Sequence, residues 1–179
     1  MKRPIRVTPY GMLAALVLAG GLLAAVHSAA AQEQEKFTNL KVLPKDISPQ
    51  ELDWKPAKSE WSAREVVHHL ADSETIAAVR LRRILITDDA QLWRYDPDEL
   101  AVRFTYAERP LEAAMALFQG VRAYTAELLD RMTEADWAKA GMPTPTGEYS
   151  TARWLQSYGP HAHEHAEQIR NNRDSFRSR

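Results

Sequence analysis

The stretch from Trp61 to Ile86, WSAREVVHHLADSETIAAVRLRRILI, predicts a long amphipathic helix. Ser62 is a favourable N-cap residue and Glu65 lies three residues later, which is the pattern of a capping box. Apolar residues then recur at the spacing of a helix. They are Val66, Leu70, Ile76, Val79, Leu81 and Ile84. An apolar stripe on a long helix has to be buried against another element, so this segment favours a helical fold.

Two further long helices are expected downstream of this segment. Pro110 opens one helix that ends near Met132, and Ser150 or Thr151 caps another that runs to about Asn172. The core stripe of the first of these is formed by Leu111, Met115, Phe118, Val121, Leu128 and Leu129. No segment of the mature chain has the alternating pattern of a strand, so the fold is predicted to be all-α.

The connecting segments carry weaker signals. Residues 49–54 begin with a proline and are expected to form one helical turn, and residues 133–137 are expected to form a short capped turn. The segments 87–100 and 140–150 are rich in polar and turn-forming residues, and each is expected to be a loop.

Residues 1–31 have the pattern of a secretory signal. The positive residues Lys2, Arg3 and Arg6 precede an apolar run over 11–26, and small residues at 29–31 offer a cleavage site after Ala31. The protein is therefore expected to be periplasmic or secreted, without stable membrane association after cleavage. Because the apolar run is close to the length that spans a bilayer, an uncleaved N-terminal anchor is the alternative.

The domain organisation expected for the whole chain has four parts. A signal peptide over 1–31 is followed by an irregular lead over 32–59, and the helical bundle occupies 60–173. The last part, 174–179, is expected to be a frayed tail, since chain ends are poorly ordered unless they are held by contacts.

Composition excludes several classes of chemistry. The 179 residues include no cysteine, which excludes disulfides, thiolate ligands, covalently attached haem and a cysteine nucleophile. Without the three basic residues of the signal, 20 basic and 24 acidic residues remain, a net charge of −4. Binding of nucleic acid is not expected, because it requires a basic face.

The histidines carry the strongest functional signal. His161 and His165 are four residues apart, so on a helix both imidazoles lie on one face, one turn apart. Two such imidazoles can share a metal ion, and His69 from another helix can complete a three-histidine set with one position open to water or substrate. His68 and His163 point away from these positions on their helices and are expected to be solvent-facing or packing residues.

Four other residues are candidates for roles beside the metal. Asp72 lies three residues after His69 and is expected either to accept a hydrogen bond from a ligand histidine or to act on bound water; a plain solvated acid is the alternative. Gln168 shares the helix face of the histidine pair and could bond substrate or pack at the core rim. Trp154 and Tyr158 are expected to line the pocket, although such a stripe is more often core.

Several neighbouring residues are given no part in the site, or only a peripheral one. Glu74 and Arg80 are expected to be exposed, and Trp61 is expected to pack at the start of its helix. Trp93 and Tyr95 lie on the segment expected to be a loop and could overhang the mouth of the pocket.

Three segments together resemble the DinB-like (damage-inducible) metalloprotein superfamily. They are WSAREVVHHLADSE at 61–74, RRILITDDAQLWRYDPDEL at 82–100 and GEYSTARWLQSYGPHAHEHAEQIRNNR at 147–173. The nearest branch is that of metal-dependent hydrolases grouped with bacillithiol S-transferases. The resemblance implies an antiparallel four-helix bundle that holds one divalent ion, zinc or nickel, through His69, His161 and His165.

The chain departs from that family at its N-terminal side. The family has a long first helix, whereas the residues between the cleavage site and Trp61 carry Pro44, Pro49 and Pro56. Proline inside a helix costs ~3 kcal/mol, so the first helix is expected to be a stub over 33–42 or to be missing. Such a bundle would leave apolar stripes exposed, and a homodimer is expected to cover them.

Two functional classes remain open on the sequence alone. An enzyme would hydrolyse a small-molecule substrate or transfer a low-molecular-weight thiol to it, since a metal bound by three neutral imidazoles activates water or ionises a thiol. The alternative is a non-catalytic helical bundle that binds a metal or a small ligand, and a metal-free interaction protein would require the histidine pattern to be coincidental.

Overall fold

The computed structural model describes residues 42–88, 90–141 and 149–179, and this part of the chain is helical. Its helices are α1 (Pro49–Asp53), α2 (Ala63–Ile86), α3 (Pro97–Arg103), α4 (Leu111–Leu129), α5 (Glu134–Trp137) and α6 (Thr151–Arg177), with a 3-10 turn at Tyr106–Glu108. These residues form no strand, and a lone antiparallel bridge pairs Ala140 with Ser150. The all-α prediction is confirmed. The expected signal segment, the expected first helix up to residue 41 and most of the loop 140–150 lie outside the described residues.

The helix starts follow the local signals in the sequence. Ser62 accepts a hydrogen bond from the backbone N–H of Glu65, whose side chain accepts one from the N–H of Ser62, so the predicted capping box is present. The short turn at α5 has the same arrangement, with Thr133 as its cap. Pro49 begins α1 and Ser150 caps α6 through the N–H of Arg153. These caps satisfy backbone donors that have no partner inside the helix.

Helix α2 is the central element of the described fold, because it packs against both α4 and α6. One buried cluster joins Val66 and Leu70 of α2 to Phe118 of α4 and Ile169 of α6. A second cluster is formed around Trp154 of α6, together with apolar residues of α2 from Ala77 onward. The part of α2 between the two clusters carries buried polar residues, and the candidate site lies there.

Helix α3 begins inside the segment 87–100 that was expected to be a loop, so that prediction was wrong for its last four residues. Asp96 accepts hydrogen bonds from the backbone N–H groups of Asp98 and Glu99, and Pro97 occupies the first helical position. Both features are start signals that the sequence contains. The helix has only seven residues. Its apolar periodicity is too short to be distinguished from that of a loop.

Helix α6 continues to Arg177, five residues past the end expected near Asn172. Long-range contacts reach into the tail 174–179 that was expected to fray: Arg177, together with Arg173 just before that tail, donates to the buried carboxylate of Glu51, at 2.6 and 3.0 Å. The ring of Phe176 packs edge-on against Trp54 at 5.8 Å. Because these partners lie more than 120 residues away in the chain, the end of α6 could not be placed from local sequence.

Two further observations complete the fold. Val79, expected in the core stripe of α2, is 54% exposed, because α4 and α6 cover other sides of the helix. None of the described helices is both long enough and apolar enough to cross a membrane.

Candidate metal centre

Three histidine side chains converge where α2 and α6 face each other. His69, His161 and His165 each offer one ring nitrogen, and these nitrogens all lie within 4.8 Å of one another. The Nε2 atoms of His69 and His161 are 3.4 Å apart. Two ligands bound to one zinc ion at about 2.0–2.1 Å with tetrahedral angles would be separated by about 3.4 Å. The nitrogen spacing therefore fits a single ion held between the two helices.

The outward nitrogens of the pair on α6 face oxygen acceptors. His161 Nδ1 lies 3.2 Å from Oε1 of Glu74, and His165 Nδ1 lies 2.8 Å from Oε1 of Gln168. A ring nitrogen that faces a carboxylate or amide oxygen carries the proton, so the network assigns the proton of each neutral ring to Nδ1. Each Nε2 then keeps its lone pair for a ligand, which is the tautomer that a shared metal ion requires.

Glu74 is itself held by a buried cation. Its side chain is 1% exposed, and Oε1 lies 2.7 Å from a guanidinium nitrogen of Arg122, which is 0% exposed. The same nitrogen of Arg122 donates to the backbone carbonyl of Tyr158 at 3.2 Å. Burial lowers the pKa of Arg122, and the charge of Glu74 opposes that shift. Arg122 of α4 is thus connected to His161 of α6 through the carboxylate of Glu74.

Burial keeps two members of the cluster in the neutral form. It lowers the pKa of His69 to about 3, and the nearby rings of His165 and His161 lower it further. Burial also lowers the pKa of His165, with His161 as the second cause. Because only neutral imidazole binds a metal, the lowered pKa values extend the binding form of both rings to lower pH than is usual for histidine.

Aromatic rings flank the cluster on two sides. The indole of Trp61 lies 4.7 Å from the ring of His69 and is stacked on His165 at 6.5 Å. The ring of Tyr158 meets His161 edge-on at 5.4 Å. The backbone of Trp61 is fixed by Asn172, whose amide donates to its carbonyl at 2.8 Å. Trp61, expected to be a simple packing residue, therefore forms part of the wall of the site.

The structure corrects the role predicted for Asp72. Its carboxylate accepts a hydrogen bond from the hydroxyl of Tyr106, which belongs to the 3-10 turn, whereas the outward nitrogens of His161 and His165 face Glu74 and Gln168. Glu74 makes the histidine contact that was predicted for Asp72. The prediction that Glu74 is exposed was wrong, because α2 is covered by α4 as well as α6 and its buried surface is wider than one stripe.

The other candidate residues divide between core and site. Trp154 is fully buried, and its Nε1 donates to the carbonyl of Ala77 at 2.8 Å, so it belongs to the core and not to a pocket wall. Gln168 is half-buried and contacts His165. Tyr158 is buried beside His161, and burial raises its pKa.

The two other histidines of the described residues lie outside the cluster, as expected. His68 is buried and stacked on Tyr106 at 5.5 Å, whereas His163 is half-buried. Arg80, expected to be exposed, is half-buried and donates to the carbonyl of Trp93 and to the hydroxyl of Tyr158, the latter at 3.4 Å. Trp93 itself is 63% exposed.

Glu74 and Arg122, the two residues whose part in the site was not predicted, are both placed by a contact between distant segments of the chain. Glu74 and Arg122 lie on different helices, 48 residues apart, and Arg122 contributes no metal-ligand or apolar signal of its own. A basic residue in the apolar stripe of α4, one helical turn after Phe118, was the available hint.

A helical bundle with three convergent imidazoles is a fold and a donor set suited to one metal ion. The sequence model of the DinB superfamily matches residues 33–169. The chain belongs to the DinB superfamily.

Similar proteins agree with that assignment. One from Oceanobacillus iheyensis, named "Putative metal-dependent hydrolase", is 26% identical over 124 residues, which are 69% of this chain and 72% of the relative. A protein of the same description from Geobacillus kaustophilus is 27% identical over 148 residues, 78% of this chain and 83% of the relative.

A solved structure has the same fold. YfiT from Bacillus subtilis, described as a probable metal-dependent hydrolase with an unusual four-helix bundle topology, superposes with a TM-score of 0.73. The alignment covers 98% of this chain and 93% of YfiT at 18% sequence identity. The prediction of a DinB-like four-helix bundle is thereby confirmed, and this chain is a metal-binding DinB-like protein.

Proposed function

We propose that this protein is a metal-dependent hydrolase that binds one divalent ion, zinc or nickel, through His69, His161 and His165. The observation that carries the proposal is the convergence of three imidazole nitrogens within 4.8 Å, in a cluster that includes no fourth side chain among the described residues. Three protein ligands leave a tetrahedral ion with one open position, which is the arrangement of catalytic and not of structural zinc sites.

The donor set determines what such an ion can contribute. Because neutral imidazoles would leave the charge of a divalent ion uncompensated, a bound ion would supply Lewis-acid polarisation and would lower the pKa of water from ~15.7 toward ~7. Glu74 and Gln168 would hold His161 and His165 in the binding tautomer. Trp61 and Tyr158 would limit the access of bulk water on two sides, which strengthens electrostatic interactions inside the site.

Transfer of a low-molecular-weight thiol is the second candidate activity, and one observation favours it. Within the described residues, the carboxylate in hydrogen-bond contact with the cluster is that of Glu74, which is already engaged by Arg122, while Asp72 accepts from Tyr106. Neither carboxylate is placed to act as a general base. A divalent ion held there would lower the pKa of a thiol enough for it to lose its proton to solvent, so this reaction would need no protein base.

Elemental analysis of protein purified without chelator or histidine-rich tag tests the metal site. We expect about one zinc or nickel per chain in the wild type and in His163→Ala, and almost none in His161→Ala. Retention of metal by all three proteins would contradict the assigned ligands. Turnover of nitrophenyl esters by the loaded protein supports hydrolysis, whereas turnover of a thiol with monochlorobimane supports thiol transfer. Stoichiometric metal with neither activity would support the non-catalytic bundle instead.

Export and dimerisation are part of the proposal. Export is supported by the basic start, the apolar run over 11–26 and the small residues at 29–31. Dimerisation is supported by large apolar side chains on the outer faces of the helices, including Ile86 at 83% and Tyr124 at 67% exposure. Sequencing the N-terminus of protein recovered from the periplasm and sedimentation of the mature chain test the two predictions. An uncleaved N-terminus or a stable monomer would contradict them.

A further inference from the structure

The polar interior of the bundle contains one ion pair that links all three long helices at the level of the metal centre. Arg122 of α4 contacts the carboxylate of Glu74 on α2 at 2.7 Å and the carbonyl of Tyr158 on α6 at 3.2 Å. Tyr158 precedes His161 by three residues, so the guanidinium holds the helical turn that carries this histidine as well as the carboxylate that faces its ring. Both charged groups are almost completely buried.

A buried ion pair of this kind is weak support for fold stability. Desolvation of two charges costs several kcal/mol per ion, and well-packed apolar residues in the same place are often as stable or more stable. The pair has a specific position, however, because one oxygen of Glu74 is shared between Arg122 and Nδ1 of His161. An oxygen held by a fixed guanidinium is a fixed acceptor for the imidazole.

We infer that Arg122 is a positioning residue for the metal centre, acting through Glu74 to set the orientation and tautomer of His161. The inference rests on the proposed function, since it concerns the same metal. The guanidinium fixes Oε1 of Glu74, that oxygen accepts from Nδ1 of His161, and Nε2 is thereby directed toward the Nε2 atom of His69, 3.4 Å away. Partners that orient a ligand histidine in this way commonly contribute 10- to 100-fold to metal affinity.

The test measures zinc affinity of the full chain by competition with a chromogenic chelator, with cobalt absorption spectra as a second readout of ligand geometry. We expect Arg122→Met to weaken zinc binding by about 10- to 100-fold and to change the cobalt spectrum. Arg122→Lys restores a cation beside Glu74, and we expect it to recover most of that loss. A purely structural Arg122 would lower the unfolding temperature of the metal-free protein and leave the zinc affinity unchanged, which would overturn the inference.

A double-mutant cycle shows whether Arg122 acts through Glu74. In a Glu74→Gln background, we expect Arg122→Met to change zinc affinity by less than about threefold, because the carboxylate it positions is gone. A loss in that background as large as in the wild type would overturn the inference. If Arg122→Met alone does not fold, the double variant, which contains no uncompensated buried charge, is compared directly with the wild type. We then expect a 10- to 100-fold loss of zinc affinity, and an unchanged affinity would overturn the inference.

Failure of the proposed function gives a different result. If the wild type binds no zinc, the metal centre itself is refuted. If the wild type binds zinc and Arg122→Met binds it equally well, only the positioning role is refuted. Asp72→Asn is the matched control, because it neutralises a carboxylate on α2 two residues before Glu74, and Asp72 contacts Tyr106 and not His161. It should bind zinc as the wild type does.

Discussion

The two histidines on α6 lie one helical turn apart, yet their outward nitrogens are held in different ways. His161 faces a buried carboxylate that is paired with a buried arginine from another helix. His165 faces the amide of Gln168, a half-buried residue of the same helix. The first arrangement depends on the assembly of three helices, whereas the second can form within one helix. We conclude that the His161 side couples the metal centre to the fold, and that the His165 side is a local feature of α6.

Removal of either imidazole is expected to have the largest effect on metal binding. His161→Ala and His165→Ala each leave two ligands, too few for tight binding, and we expect zinc affinity to fall by at least about 10³-fold. His163→Ala lies on the same helix between them and should bind zinc as the wild type does. The measurement is chelator competition at neutral pH. If one of the two alanine variants kept tight binding, that histidine would not be a ligand. His161 and His165 could then not be compared as two ligands of one ion.

The third histidine allows a test by pH, because burial lowers the pKa of His69 to about 3. The unfolded chain protonates this residue near pH ~6.5. Above that pH both states are neutral and the stabilising contribution is complete. As the pH falls from ~6.5 to ~3, the unfolded state takes up the proton and the folded state does not, so the free energy of unfolding decreases. We expect a decrease on the order of 3 kcal/mol from His69 alone in the metal-free protein.

Urea unfolding of the metal-free chain at several pH values measures this decrease. His69→Asn is the control, because carboxylates also titrate in this range and remain in both proteins. The difference between the two profiles should develop between pH ~6.5 and ~3. Parallel profiles over that range would show that His69 is not held neutral by burial.

Changes at Gln168 are expected to give a smaller effect on zinc affinity, and they test whether His165 is held less firmly than His161. Gln168→Ala removes the acceptor of His165 Nδ1, but water can replace it at a half-buried position, so we expect a loss of zinc affinity of about threefold, smaller than that of Arg122→Met. Glu167→Ala is the matched control, since Glu167 is exposed and pairs with Arg170 at 2.5 Å. A loss at Gln168 as large as that at Arg122 would remove the proposed difference between the two sides.

The same difference explains which parts of the molecule could be predicted from sequence. The helix starts at Ser62 and Ser150 are local, because the cap and the N–H that it satisfies lie within three residues. The facing pair His161 and His165 is also local, since helical geometry alone places both rings on one face. Together with the resemblance to a known family, such signals were sufficient to predict the fold class and the convergence of the three imidazoles.

The remaining features depend on contacts between distant residues. Glu74 was expected to be exposed, but α4 covers it and Arg122 of α4 pairs with it. Nothing near Glu74 in the sequence indicates that Arg122 will lie opposite. The end of α6 likewise depends on Glu51, whose carboxylate holds two arginines from the other end of the chain. Charged residues were expected at the surface because of their type. In these cases, ion pairs with distant residues allow them to be buried.

Asp72 gives the smallest expected effect on the metal, and it separates the two acidic residues of this part of α2. Its carboxylate accepts from the hydroxyl of Tyr106, and this hydrogen bond joins α2 to the 3-10 turn. We expect Asp72→Asn to change zinc affinity by less than about twofold, because Asp72 accepts from Tyr106, whereas the outward nitrogens of His161 and His165 face Glu74 and Gln168. Asn keeps an oxygen acceptor but loses the charge, so the hydrogen bond weakens and the free energy of unfolding should fall by about 1 kcal/mol.

Tyr106→Phe provides the partner measurement for Asp72. It removes the hydroxyl that donates this hydrogen bond, so the stability losses of the two variants should not add in the double variant. Thermal unfolding of the four proteins and zinc competition on each complete the experiment. A tenfold weaker affinity in Asp72→Asn, with the stability unchanged, would place this carboxylate at the metal after all. In that case the role assigned to Glu74 would have to be shared between the two residues.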